Sequence, residues 1–277
     1  MQELVISLLG PLRVALGQRP VTAFCSDKAR ALLAYLAVEE GTAHRREELA
    51  GLLWPGYPER NARQSLSQAL SSLRAALGPA AAAEPPLLSA TRQDVQLNPS
   101  PHVQVDISLF AALLEACARH AHPDLSLCAA CGWRLQQAVA LYEGEFLAGF
   151  TLDDCAEFEE WLVLQRERYR RQAVEALHAL VAGHEQRGAL DLALPHARRW
   201  AELEPLDEEA HRAIMRLLAL TGQRAAALAQ YEHTCQLLQQ ELQLLPEPAT
   251  QRLWARIRAG ELSGPADDVA RRAASRA

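Results

Sequence analysis

The sequence lacks any uninterrupted apolar run of the roughly 18 residues that a membrane-crossing helix needs. Its N-terminus also lacks the basic segment, followed by an apolar stretch, that marks a secretory signal. Cysteine is scarce, with 6 in 277 residues, and in a chain without such a signal it is typical of thiols or metal ligands rather than of disulfides. We therefore expect a cytoplasmic protein with no membrane partner.

Signatures of catalysis are missing as well. No Gly-rich loop ends in Lys followed by Ser or Thr, so the chain has no phosphate cradle of the ATPase type. Neither a Ser-His-Asp nor a Cys-His-Asn arrangement is suggested by the positions of these residue types. The sequence therefore predicts a protein that is not an enzyme.

Carboxylates are almost absent from one stretch, residues 57–78, where Glu59 is the only one. Placed on a helix at about 100° per residue, the apolar residues of this stretch form a single stripe: Ala62, Leu66, Ala69, Leu70, Leu73 and Leu77. The opposite face carries amides, hydroxyls and guanidinium groups, which match base edges and phosphates. This composition favours a helix that contacts nucleic acid, and an ordinary solvent-facing surface is the alternative.

The surrounding segments predict a winged helix. Residues 3–24 alternate and turn like a small antiparallel sheet, and residues 28–39 have the spacing of a helix capped by Ser26 or Asp27. A short helix ending at Trp54 then precedes the carboxylate-poor helix, as in a helix-turn-helix. Two strand-like segments flank a turn that contains Arg92, so a β-hairpin follows the three helices.

The charge is unevenly distributed along the chain. The whole chain has a formal net charge of −6, but residues 1–106 hold 10 basic and 10 acidic residues, while the remainder holds 18 and 24. A nucleic-acid surface must therefore be a local patch on a neutral domain. The same balance supports an alternative of another class, a protein-interaction scaffold whose winged helix does not bind DNA.

The C-terminal half repeats itself. The segment that begins at Gly188 is echoed 34 residues later at Gly222, and Ala193 corresponds to Ala227. About 34 residues is the period of tetratricopeptide repeats (TPRs), in which paired helices stack and leave a concave surface for protein or peptide. Abundant Ala and Leu also favour helices.

Soft metal ligands are concentrated within 15 residues, where Cys117, His120 and His122 precede the Cys128-x-x-Cys131 pair. Thiolates and imidazoles at tetrahedral reach suit a structural zinc ion. We therefore predict zinc at Cys117, His122, Cys128 and Cys131, with a reduced thiol pair or a redox switch as alternatives and Cys117 as a residue that also fits a helix core.

Four segments together resemble the antibiotic regulatory protein (SARP) family: residues 8–14, 28–37, 46–55 and 67–78. The resemblance covers roughly residues 3–260. It implies a mainly α fold with a small β part, in which an OmpR/PhoB-type winged helix-turn-helix at 1–104 is followed by a TPR-like bacterial transcriptional activator domain at 105–262. Residues 263–277 are expected to form a disordered tail.

The resemblance also implies a function, because in this family the third helix enters the major groove and the wing contacts the backbone. Carried onto this sequence, it gives these DNA-binding residues: Arg60, Arg63, Gln64, Ser67, Gln68, Ser71, Arg74 and, on the wing, Arg92. We expect a sequence-specific transcriptional activator. Its partners would be double-stranded promoter DNA, RNA polymerase and a sister subunit in a homodimer.

Overall fold

The computed structural model describes residues 3–78, 86–99, 102–122 and 124–262. As predicted, the chain is mainly helical with a small β part. The strands are β1 (Leu4–Ser7), β2 (Arg13–Leu16), β3 (Arg19–Pro20), β4 (His44–Arg45), β5 (Leu88–Ala90), β6 (Asp94–Leu97) and β7 (Val103–Val105). The helices are α1 (Asp27–Val38), α2 (Arg46–Leu53), α3 (Glu59–Leu77), α4 (Asp106–Arg119), α5 (Ala129–Leu141), α6 (Ala156–Gln186), α7 (Leu190–Leu203), α8 (Glu208–Leu220), α9 (Arg224–Glu241) and α10 (Pro248–Ala259).

The chain divides into two compact units, residues 1–115 with 140–171 and residues 116–139 with 172–277. The predicted tail at 263–277 lies outside the described residues. Among the helices that are described, none combines the length and the apolar character that crossing a bilayer would require.

The first unit begins with a four-stranded sheet in the order β3-β2-β1-β7. β1 pairs antiparallel with β2 as the sequence predicts, and β7 adds a parallel partner from much later in the chain. Leu4 and Ile6 are fully buried while Val5 and Ser7 are half-buried, which is the alternation of a strand with one face on the core.

A half-buried carboxylate, that of Asp106, joins the end of this sheet to α4. Asp106 accepts backbone N–H groups from Leu8 at 2.7 Å, Leu9 at 2.8 Å and Ile107 at 2.8 Å. Burial raises the pKa of Asp106, although the three N–H donors act in the opposite direction. The side chain therefore satisfies one N–H group at the start of α4 and two backbone donors beyond β1.

Three helices and a hairpin complete the predicted winged helix. The Ser26 side chain caps α1 by accepting the N–H of Ala29 at 3.3 Å. The buried residues of α3 are the six of the predicted apolar stripe. β5 and β6 pair antiparallel, and β4 adds to the other side of β6, so the hairpin is held beside the helices in a three-stranded sheet.

Residues 140–171 belong to the first unit through an aromatic cluster. Trp161 on α6 contacts Tyr35 of α1, Phe146 and Phe158, with ring centroids 5.0, 5.8 and 5.2 Å away. The compact unit therefore continues beyond residue 104. The domain boundaries implied by the family resemblance stay predictions.

The second unit contains the predicted repeat. Gly188 and Gly222 adopt left-handed φ values of +70° and +77°, which glycine accepts without the steric cost of a side chain. The residue after each glycine donates its N–H five residues back, Ala189 to His184 at 2.9 Å and Gln223 to Leu218 at 2.8 Å. The same turn thus starts α7 and α9, and the TPR-like fold is confirmed.

Ion pairs tie the helices of this stack together. Arg212 on α8 contacts Glu209 at 2.6 Å and Glu247, just before α10, at 2.8 Å. Arg216, one turn later, forms a two-fold contact with Glu185 of α6 at 2.8 and 3.0 Å. The Arg212 side chain is only 15% exposed, and its positive charge is balanced by these glutamates within the unit.

Two histidines stack in the same unit. The rings of His184 on α6 and His196 on α7 are nearly parallel, at 10°, with centroids 5.6 Å apart. Burial lowers the pKa of both imidazoles below the ordinary value of 6.5, and Arg187 and His184 respectively lower them further. Both shifts favour the neutral form of the pair.

Candidate nucleic-acid interface

The predicted face of α3 is exposed along its whole length. Each of its candidate residues is solvent-accessible: Arg60, Arg63, Gln64, Ser67, Gln68, Ser71 and Arg74. At about 1.5 Å per residue the face is roughly 21 Å long. It stands opposite the buried stripe, so a major groove, about 12 Å wide, can receive it without any rearrangement of the core.

The turn before α3 fixes where this face begins. Trp54 is buried, and the Tyr57 N–H donates to its carbonyl at 3.1 Å. The Lys28 ammonium lies 5.8 Å from the Trp54 ring and 5.5 Å from the Tyr57 ring, within cation–π range. Pro58 precedes the helix and accepts the N–H of Ala62 at 3.0 Å. Packing and backbone bonds thus set the start of α3.

The wing presents Arg92 at an exposed tip between β5 and β6. The Thr91 hydroxyl accepts the N–H of Gln93 at 3.1 Å and of Asp94 at 2.9 Å. With these two hydrogen bonds the Thr91 side chain closes the turn as an ST-turn. The tip is therefore ordered, and Arg92 extends from it.

Arg46 links the wing to α3, a role that no motif or spacing in the chain indicates. Its guanidinium donates to the Ser67 hydroxyl at 2.7 Å and to the Thr91 carbonyl at 3.4 Å, while its own N–H donates to Gln93 at 2.8 Å. Ser67 and Thr91 lie 21 and 45 residues away. Sequence spacing cannot reveal a contact of that kind.

Arg63 is the one predicted cation that already has acidic partners. Its guanidinium contacts Glu47 of α2 and, at 2.7 Å, Glu59 at the start of its own helix. The side chain is still 47% exposed, so a phosphate can compete for it. Its positive charge is nevertheless partly offset in the free protein.

The other cations of the face are available. Within the described residues, the side chains of Arg60, Arg74 and Arg92 form no ion pair or hydrogen bond. Gln64 and Gln68 likewise leave their amide groups open in the described part of the chain. The site thus combines uncommitted guanidinium groups with uncommitted amides, which can donate to phosphates and to base edges respectively.

The predicted metal ligands are brought together in part. One ligand atom each of His120, His122, Cys128 and Cys131 lies within 4.8 Å of the others. Cys117 is absent from this group, because its buried thiol donates instead to the Cys131 carbonyl at 3.7 Å. Burial raises the pKa of the Cys117 thiol to about 11. His120 takes its place beside the other three predicted residues.

Comparison with known proteins identifies the second half of the chain. Residues 105–258 match the model of the bacterial transcriptional activator domain. The chain is 29% identical to the regulatory protein AfsR of Streptomyces coelicolor over 263 residues, which are 90% of this chain and 24% of that protein. It is also 29% identical to AfsR of Streptomyces griseus over 284 residues, 95% of this chain and 26% of that one. The chain therefore spans about a quarter of the length of these relatives.

A solved structure supports the fold. Mycobacterium tuberculosis EmbR, in complex with a low-affinity phosphopeptide, superposes with a TM-score of 0.67 at 22% identity, covering 94% of this chain and 66% of that one. At this identity the likeness concerns the fold alone. Together with the domain match it confirms the SARP resemblance, and the chain belongs to the bacterial transcriptional activator domain family.

Proposed function

We propose that the chain binds promoter DNA in a sequence-dependent way and activates transcription. α3 enters the major groove and the wing lies along the adjacent backbone. The observation that carries the proposal is the exposed face of α3, on which Arg60, Arg74, Gln64 and Gln68 are free of carboxylate partners within the described residues. Because the match to regulatory proteins concerns regulation as such, DNA binding is our inference from this face.

The residues of the face divide by chemistry. Gln64 and Gln68 can each donate to and accept from one base edge, and the Ser71 hydroxyl can reach either kind of group. The Ser67 hydroxyl already accepts from Arg46 and donates to the Arg63 carbonyl, so it serves to position Arg46. Arg60, Arg74 and Arg92 supply the charge that positions the protein on phosphates. Each fits its role because it extends from a segment whose backbone is fixed.

We further infer that the helical domain at 105–262 contacts RNA polymerase, a second copy of the chain, or both. Several large apolar side chains of its C-terminal part are exposed, among them Leu192 at 59% and Leu245 at 78%. Stacked helical repeats bind protein partners through their extended surfaces, and exposed apolar side chains can contribute to such contacts.

The test is a selection from a random DNA pool with the full chain, followed by titration of the selected site at several salt concentrations. Replacing Arg60 and Arg74 by Ala should weaken binding about tenfold or more and lower the slope of log K against log salt by about 1.8, since each lost phosphate contact accounts for about 0.9. The matched control removes two exposed arginines of the second unit, Arg198→Ala with Arg252→Ala, and should leave both quantities unchanged.

A second candidate, a scaffold that does not bind DNA, is favoured by one observation. Arg63 is paired with Glu47 and Glu59, and residues 1–106 carry no net charge. In that case no sequence would be enriched from the pool, and the chain would elute from a DNA column at the lowest salt. Either result contradicts the proposed DNA binding.

A further inference from the structure

The connection between α4 and α5 brings two imidazoles and two thiols together. Nδ1 of His120 lies 3.2 Å from Sγ of Cys131 and 3.5 Å from Sγ of Cys128. Nδ1 of His122 lies 3.8 Å from Sγ of Cys131. We propose that His120, His122, Cys128 and Cys131 bind one structural zinc ion.

The separations are those of a tetrahedron around zinc. With Zn–S bonds of about 2.3 Å and Zn–N bonds of about 2.0–2.1 Å, the edges of a tetrahedral site measure about 3.3–3.8 Å. Three of the six separations, 3.2, 3.5 and 3.8 Å, are close to these edges, and all four ligand atoms lie within 4.8 Å of one another. The four ligand atoms can therefore share one ion after shifts of up to about 1 Å, which side-chain rotations supply.

The chemistry of the set selects the metal. Two thiols and two imidazoles with no carboxylate among them do not suit Mg²⁺ or Ca²⁺, which bind oxygen. An iron–sulfur cluster generally takes four cysteines. A Cys₂His₂ set in tetrahedral array is typical of zinc, and closure by four protein ligands indicates a structural rather than a catalytic ion.

The surroundings support the ligands. The Arg134 guanidinium donates to Sγ of Cys131 at 3.8 Å, and Cys131 lies in the first turn of α5, where the helix N-terminus favours a thiolate. The Cys117 thiol holds the Cys131 carbonyl from the end of α4. Cys117 thus positions a ligand and is not one itself, which changes one member of the set predicted from the sequence.

The same connection is seated on α6 by its backbone. The Ser126 carbonyl accepts from the Arg187 guanidinium at 2.9 Å and approaches Gly183 so closely that a Cβ there would lie 2.2 Å from the oxygen. Only glycine tolerates that contact. One side of the connection is therefore fixed by α6, and zinc would fix the other by joining residues 120 and 122 to the start of α5.

The first experiment measures metal in the full chain purified without chelators. We expect about one zinc per chain, and less than a fifth of that in Cys128→Ser and in His120→Ala. The control Cys235→Ser, which removes a thiol outside the cluster, should keep the ion fully. Cys117→Ala, which removes only the positioning thiol, should still bind the ion but release it more readily to a chelator. Loss of zinc in Cys117→Ala with retention in His120→Ala would overturn the ligand set.

A second measurement does not depend on the variants folding. Treating the wild-type chain with a chelator should release the zinc and make two further thiols reactive, and Co²⁺ added to the metal-free chain should give the visible absorption of a tetrahedral site with thiolate ligands. Native protein that contains no zinc and takes up neither ion would overturn the proposal. So would a Cys128–Cys131 disulfide in protein kept under reducing conditions, because it would identify the pair as a redox couple.

Discussion

Arginines on two helices of this chain have opposite surroundings. On α3, Arg60 and Arg74 are exposed and have no carboxylate partner among the described residues. On α8, Arg212 and Arg216 are each held by glutamates at 2.6 to 3.0 Å. The same side chain is therefore available for an external anion in one region and committed to internal structure in the other.

The difference comes from the neighbours that the sequence supplies. α3 has one glutamate in 19 residues, whereas α8 begins with two and receives others from α6 and from the start of α10. A cation without a nearby anion keeps its attraction for phosphate. In a half-buried pair the two charges satisfy each other, and removing one partner is destabilising because the other is left without it. Net charge alone, which is zero for residues 1–106, would miss this distinction.

Of the changes that test this comparison, the loss of an arginine of α8 should have the largest effect, a decrease in the stability of the folded chain. Arg212→Ala should lower the free energy of unfolding by about 2–3 kcal/mol, because it leaves the half-buried Glu209 and the buried Thr250 hydroxyl without this donor. The measurement is urea unfolding followed by circular dichroism. Arg198→Ala, an exposed arginine of the same unit, should change the value by less than about 0.5 kcal/mol. Equal effects for the two variants would mean that the α8 ion pairs contribute no more than a surface charge.

Arg46 shares a feature with each group of arginines. Its guanidinium is hydrogen-bonded within the protein, as on α8, yet it lies beside the proposed DNA site, as on α3. Arg46→Lys keeps the charge but cannot reach both Ser67 and Thr91, so we expect DNA affinity to fall several-fold, about 1 kcal/mol, with an unchanged salt slope. Arg46→Ala should lower both. Full affinity in the lysine variant would contradict a positioning role.

Removing the two carboxylates that pair with Arg63 should make the exposed face of α3 more positive. Glu47→Gln with Glu59→Gln frees Arg63 and takes two negative charges from the site. Binding to the selected DNA should tighten a few-fold, by about 0.5–1 kcal/mol. Glu202→Gln with Glu261→Gln, which removes two glutamates of the second unit, is the control. Weaker binding after the α3 change would show that Arg63 needs its partners to be useful.

The smallest effect concerns pH. Because burial lowers the pKa of His184 and His196 in the folded chain, the unfolded chain binds protons first as pH falls below about 6.5, and the free energy of unfolding decreases from there. His196→Gln should reduce this decrease, measured by urea unfolding at pH 7 and pH 5.5. An unaltered pH dependence in the variant would show that the stacked pair does not cause it.

Periodicity made much of the fold predictable. The six buried residues of α3 were evident from apolar spacing alone, and the turn glycines of the repeat from their 34-residue offset. Both features are local or repeat locally, so the sequence carries them directly. The exposed face of α3 follows from the same spacing, since a helix with one buried stripe exposes the opposite side.

Contacts between distant segments could not be found this way. Arg46 reaches Ser67 and Thr91 only because α2, α3 and the wing converge. Likewise, spacing could not decide between Cys117 and His120, because the choice depends on where α4 ends and on which way the Cys117 thiol points. The parallel pairing of β1 with β7 is distant in the same sense.

The left-handed glycine turn that occurs at both Gly188 and Gly222 has a consequence for how helical-repeat chains evolve. Each copy has its own left-handed glycine and its own closing hydrogen bond. The direction in which each helical pair leaves the preceding helix is therefore set within that pair. Duplication of one 34-residue block can therefore add a helical pair to the array, and the neighbouring pairs keep their geometry.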